Sequence, residues 1–99
     1  MNDRAREVLV QAALSGVPQV KREFRDDADG RCALGVLMDS LGLQFGRILG
    51  VEPGAWNALE KAFDISIQEQ RDISVANDNL GWDFLTIARK IGNPEEANG

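Results

Sequence analysis

Gly30-Arg31-Cys32-Ala33-Leu34-Gly35-Val36-Leu37 places two glycines and a lone cysteine at the mouth of an apolar helix. Leu34, Leu37, Met38 and Leu41 recur at helical spacing, so a helix is expected over residues 32–41, ended by Gly42. Just upstream, Asp26-Asp27-Ala28-Asp29-Gly30 reads as a turn, with glycine free to take positive φ. Further along, the polar pair Asn77-Asp78 precedes a second amphipathic run, Phe84-Leu85-Thr86-Ile87-Ala88. Together these stretches specify a small helical domain and no particular chemistry.

Working outward, Ala5, Val8, Leu9, Ala12 and Ala13 share one face of a first helix. Asn2 or Asp3 can cap it, and Gly16-Val17-Pro18 stops it. Residues 20–25 read as a short strand or an extended connector. Residues 43–49, apolar and bounded by Gly42 and Gly50, read as a helical turn or short helix. Glu52-Pro53 opens a third helix with proline near its first position, and Ala55, Ala58, Leu59, Ala62 and Phe63 form its buried face. Ser66-Ile67-Gln68-Glu69 is a capping box that starts a fourth helix, expected to reach about Ala76. Asn77-Asp78-Asn79-Leu80-Gly81 is expected to break the chain. A fifth helix follows, with Phe84, Ile87, Ala88 and Ile91 on one face, stopped by Gly92-Asn93-Pro94. The expected architecture is all-α: one compact bundle of about five short helices over residues 1–92 and a frayed tail over 93–99. The one place for a minor two-stranded element is before the second helix.

The chain has 99 residues, 43% of them hydrophobic, enough for one modest core. Eleven basic and 16 acidic residues give a formal charge of -5, which opposes phosphate backbones and anionic lipid. One cysteine cannot form an internal disulfide, so the fold does not depend on an oxidising compartment. With no histidine, Ser-His-Asp triads and ordinary zinc sites are excluded. The charged start, residues 1–7, has no long apolar stretch behind it, so no signal peptide is read, and no apolar run approaches bilayer-spanning length. A cytoplasmic location is the simplest expectation.

Each candidate site has a plain structural reading beside it. With Gly30 at the glycine position of a calcium loop, Arg25 and Val36 fall where acids must stand. Gly81 in the same role puts Ala76 at the first position. Neither loop is therefore read as a metal site, and no cofactor is expected. For Asn77-Asp78-Asn79 the structural reading is a left-handed Asx residue at a helix end, followed by an N-cap. Cys32 beside a helix N-terminus could be an activated thiol, but no histidine can serve as its base. Its plainer role is a small buried residue beside Ala33 and Gly35. Glu60, Asp64, Glu69 and Asp72 are not distinguishable from a solvated helix face. Trp56 and Trp82 each begin a helix and are expected to close the ends of the core, although Trp82 could instead anchor a partner.

Ile65-Ser66-Ile67-Gln68-Glu69-Gln70, Asn77-Asp78 and the run from Phe84 to Gly92 resemble the first two helices of a helix-turn-helix domain. In that family a recognition helix follows. Here only a short acidic tail does, so a reading helix would have to come from a partner. Gly30-Arg31-Cys32-Ala33-Leu34-Gly35, Asn77-Asp78 and Phe84-Leu85-Thr86-Ile87-Ala88 also resemble a diffuse set of small, mostly uncharacterised proteins of bacteria, phages and large DNA viruses. The likeness covers roughly residues 19–91. It implies a compact helix-rich domain, often carried by mobile elements, and supplies no activity.

The expected function is therefore protein interaction: an acidic helical domain, phage- or prophage-encoded by that resemblance, that binds another protein, without duplex DNA or membrane as partner. The residues singled out for contact are Asp29, Cys32, Asn77, Asp78 and Trp82. Two alternatives stand beside it. One is a small-ligand or enzymatic module using the Asp29/Cys32 and Asn77/Asp78 loops together. The other is a partner-completed helix-turn-helix-like regulator.

Overall fold

A computed structural model describes residues 1–26, 28–46 and 52–91. Among these are five helices: α1 (Asp3–Leu14), α2 (Ala33–Ser40), α3 (Ala55–Phe63), α4 (Ile67–Asp78) and α5 (Phe84–Lys90). They form the small all-α bundle that the apolar spacing predicts. α2 sits at its centre, with every residue from Ala33 to Met38 buried. A helix that is apolar all round must be surrounded, and α1, α3 and α4 pack against it. α1 also lies along α5. Leu9, Leu37, Met38, Leu59, Phe63, Ile65, Ile73 and Ile87 fill the centre.

Helix starts follow local chemistry. The Asn2 side chain accepts from Ala5 N–H at 3.0 Å, Asp83 caps α5 through Thr86 N–H at 2.8 Å, and Ser66 and Glu69 complete the reciprocal capping box of α4. The third helix corrects the expectation for Pro53. Glu52 C=O accepts from Ala55 N–H at 3.1 Å, and Gly54 between them has φ +83° and ψ 0°. This is a type II turn, with proline and glycine in its two central positions, and α3 starts only after it. Residues 43–46 are not helical; Phe45 is buried there, with Arg25 and Arg31 stacked over its ring at 5.6 and 5.8 Å. Residues 47–49 of that expected helical turn, and the tail expected over 93–99, lie outside the described residues.

Residues 19–26 and 28–31 belong to a looped connector, and among the described residues no sheet forms. Arg31 makes isolated bridges to Gln19 on one side and Arg25 on the other. Val20 N–H donates to Arg31 C=O at 3.0 Å, and Cys32 N–H to Phe24 C=O at 3.0 Å. The turn at its tip is an Asx turn: one Asp26 carboxylate oxygen accepts from Ala28 N–H at 3.0 Å and Gly30 N–H at 2.7 Å.

The α-amino group of Met1 donates to Glu69 at 2.5 Å, tying α1 to the capping box of α4. Partial burial pushes the Glu69 carboxyl up. Hydrogen bonds from the Met1 amino group and Ser66, with the amino group's charge, outweigh this and hold it below the ordinary carboxylate range. A depressed carboxyl contributes stability above its unfolded value and loses it as pH falls through the folded one. Glu69→Gln is therefore expected to cost about 1 kcal/mol at neutral pH, typical of a weakened cap. In denaturant titrations the gap to the wild type should close well below the carboxylate range. A gap that persists in acid would assign the loss to something other than this charge.

Candidate functional site

The two halves of the sequence signature meet. Asn77 lies in the last turn of α4, almost fully buried, and its amide makes four hydrogen bonds. Its oxygen accepts from Gln19 Nε2 at 2.8 Å and from Ala33 N–H, at the start of α2, at 3.1 Å. Its nitrogen donates to Val20 C=O and to Asp78 Oδ1, both at 2.8 Å. Asp78 Oδ1 also accepts from Arg22 N–H at 2.8 Å, which holds Arg22 at φ +65°. The Asn-Asp pair thus fastens the 19–31 connector to the ends of two helices.

This corrects the expectation that residues 77–79 break the chain at a left-handed Asx residue. Asn77 and Asp78 are helical, Asn79 is a right-handed C-cap, and the left-handed residue is Gly81, at φ +69°. An Asx side chain ends a helix by bonding its own backbone. Asn77 bonds groups far away in the chain instead, so α4 runs two residues past Ala76.

The rest of the motif is equally structural. Cys32 is the N-cap of α2, its sulfur accepting from Gly35 N–H at 3.3 Å. Burial pushes the thiol up to about 11; the Gly35 contact opposes this and the Asp78 charge adds to it. At neutral pH the sulfur is therefore protonated, a poor nucleophile. Maleimide labelling of the folded protein should be slow, and Cys32→Ala should cost about 1 kcal/mol, as for a small core truncation. Rapid native-state labelling would contradict the burial. A Cβ on Gly30 would meet Val20 Cγ1 at 2.5 Å and the Asp26 carboxylate at 2.8 Å, so a side chain there would force the connector's own Val20 and Asp26 side chains to shift.

These contacts shape a groove along α4. Its polar end is a cleft of about 140 Å3 lined by Arg22, Glu23, Cys32, Asn77 and Asp78 over Leu34 and Ile73. Beside it lies a shallower, mostly apolar depression of about 410 Å3, lined by Trp56, Ile67, Gln70, Arg71 and Val75. The two share Leu34 and Ser74, so they are continuous. Phe24, with its ring centroid 6.0 Å from that of Trp56, closes one side.

Three of the five residues singled out from sequence are brought together: Cys32, Asn77 and Asp78 line the same cleft. Asp29 does not join them; it is exposed at the turn, at φ +65°. Trp82 packs against the core with Lys90 Nζ 5.2 Å from its ring, and its carbonyl accepts from Gln19 Nε2 at 2.7 Å. Trp56 reverses its expectation. It is 39% exposed, on the outer side of α3. Sequence reasoning also missed Ile67, Arg71 and Val75. The signal was present, since residues 67, 71 and 75 recur every four residues as a stripe opposite the buried Ile73 and Ala76.

Among the described residues no group of three acidic or cysteine side chains converges as a metal site, and no helix is long and apolar enough to cross a membrane. Comparison with known proteins finds no match. No family model, curated protein or solved structure aligns with this chain.

Proposed function

We propose that this protein works by binding another protein along the α4 groove. The observation that carries this reading is the groove's exposed apolar lining. Ile67 is 63% exposed, Val75 46% and Trp56 39%, gathered on one continuous depression whose floor, Leu34, is core. An apolar surface held open by a polar staple, with a tryptophan at its edge, has the composition of an interface hot spot. The polar cleft alone is smaller than the roughly 300 Å3 that small-molecule sites begin at, and its thiol is protonated, so a ligand or enzymatic module has less support.

Affinity capture from the native host tests this. A partner retained by the wild type and by Leu14→Glu, on an exposed site outside the groove, should be lost with Ile67→Glu. Equal retention by all three would reject the groove. Duplex DNA is not part of this proposal: with a charge of -5, a gel shift at physiological salt should show no complex. Micromolar, salt-sensitive binding would favour the regulator reading instead.

A further inference from the structure

We propose that in the free protein the α4 groove is covered by a second copy of the chain, packed antiparallel across a two-fold axis near Ser74. This uses the same groove as the reading above but does not depend on the partner of that reading. Ile67, Arg71, Ser74, Val75 and Asp78 all line the groove and fall at i, i+4, i+7, i+8 and i+11 of α4. They make a stripe about 100° wide, the width of a helix face that packs against another element. Its apolar members are bare: Ile67 and Val75 are exposed, with Trp56 alongside.

The charge along the stripe selects a second copy as the occupant. The lining charges, Arg22, Glu23, Arg71 and Asp78, sum to zero but are unevenly placed. The polar end holds Arg22 against Glu23 and Asp78 and is net negative. The hydrogen bonds to Asp78 come from Arg22 N–H and the Asn77 amide, both neutral, so its charge stands. Lys21, whose Nζ lies beside Gly81, is not part of that lining. The other end holds Arg71, exposed and without a hydrogen-bond or ion-pair partner among the described residues. Asp72 is turned about 100° further round the helix, off the stripe, where it accepts from Gln68. A uniformly charged occupant would gain at one end and lose at the other. A two-fold partner presents the opposite sign to both ends at once, because an isologous contact repeats every pairing. Arg71 and Asp78 are equidistant from the point between Ser74 and Val75. An axis there sets Arg71 of each copy opposite Asp78 of the other, and arginine–carboxylate pairs are the stronger, bidentate kind. Ser74, small and half-buried, sits where the two helices cross and lets them approach closely. α4 has 12 residues, about 18 Å of helix, so the contact belongs to the small, transient class that a partner can displace. The charge of -5 repels the two copies at long range, but 0.1 M salt screens that beyond about 10 Å.

Oligomeric state and cross-linking on the full chain test the proposal. In sedimentation equilibrium at physiological salt, the mass should rise with concentration toward that of two chains. Arg71→Glu, which sets like charges opposite each other twice, should weaken this at least tenfold. Circular dichroism checks that this exposed substitution leaves the fold intact, and cross-linking decides without it. Cys32 is buried, so an introduced thiol is the accessible one. Ser74→Cys, beside the axis, should form an intermolecular disulfide under mild oxidation. Ile67→Cys should not, because antiparallel packing holds the two copies of residue 67 about 22 Å apart along the helices. A single-chain mass up to millimolar concentration would overturn the proposal. So would association indifferent to Arg71→Glu, association without the residue-74 disulfide, or equal cross-linking at both positions. If Ile67→Glu abolishes partner capture while the wild type stays a monomer, the docking surface stands and this inference alone falls. If the residue-74 disulfide forms and no partner is captured, the pairing stands without that reading.

Discussion

Asn77→Ala is expected to destabilise the protein by about 3 kcal/mol or more, the largest loss from any single polar side chain here. The substitution deletes four hydrogen bonds at an almost fully buried position. Gln19 Nε2 keeps its bond to Trp82 C=O, but Ala33 N–H and Val20 C=O lose the Asn77 amide. A buried group left unpaired costs about 1–3 kcal/mol, and the cavity left by the amide adds to that. The loss should also reach the groove. With the connector unfastened, Arg22 and Phe24 lose their fixed place on its wall, so partner binding should fall further than the unfolded fraction alone accounts for. Asn77→Asp separates the contributions. It keeps the shape and the acceptor toward Gln19 and Ala33, but sets a carboxylate against Val20 C=O and Asp78. It should be at least as damaging as alanine in denaturant unfolding. Near-native stability for Asn77→Asp would show that the donating half of the amide contributes nothing.

How much of this was legible in the sequence depends on the range of each interaction. The five helices were legible because their apolar spacing and caps are local: Ser66 with Glu69, Asn2 with Ala5, and the positions 34, 37, 38 and 41. Pro53-Gly54 was misread because one dipeptide serves both helix starts and type II turns, and only the Glu52–Ala55 bond distinguishes them. Asn77 was misread for the opposite reason. Asn-Asp-Asn has a strong local meaning, and nothing in the stretch announces partners 44 and 58 residues away. The groove was missed because the fourth helix was read only from its capping box and its end, and none of its faces was assigned to core or solvent. Which face of α4 meets the core is fixed by α2 and α5, and that is a property of packing.

Gly35→Ala offers the sharpest test of that packing, because local and tertiary physics predict opposite signs. In the interior of an ordinary helix, replacing glycine by alanine gains about 1 kcal/mol from propensity. Gly35 is inside α2, and its φ is not in the left-handed region, so the backbone itself would accept alanine. The obstacle is the 19–31 connector. A Cβ at residue 35 would lie 2.3 Å from the Phe24 carbonyl oxygen, with the Phe45 ring 3.5 Å away. The carbonyl cannot rotate aside as a side chain would, since it accepts from Cys32 N–H at 3.0 Å. Relief requires moving the connector or α2, and such overpacking costs about 1–3 kcal/mol after relaxation. A net loss of about 2 kcal/mol is therefore expected, with the helical circular dichroism of the folded state retained. The connector carries Phe24 and Arg22, so groove binding should weaken in the same variant, whereas Gly42→Ala, strained by its φ of +69° but open to solvent, should lose stability without touching it. A stabilised Gly35→Ala would show that the connector does not rest on α2 as described, and the groove wall built from it would have to be abandoned.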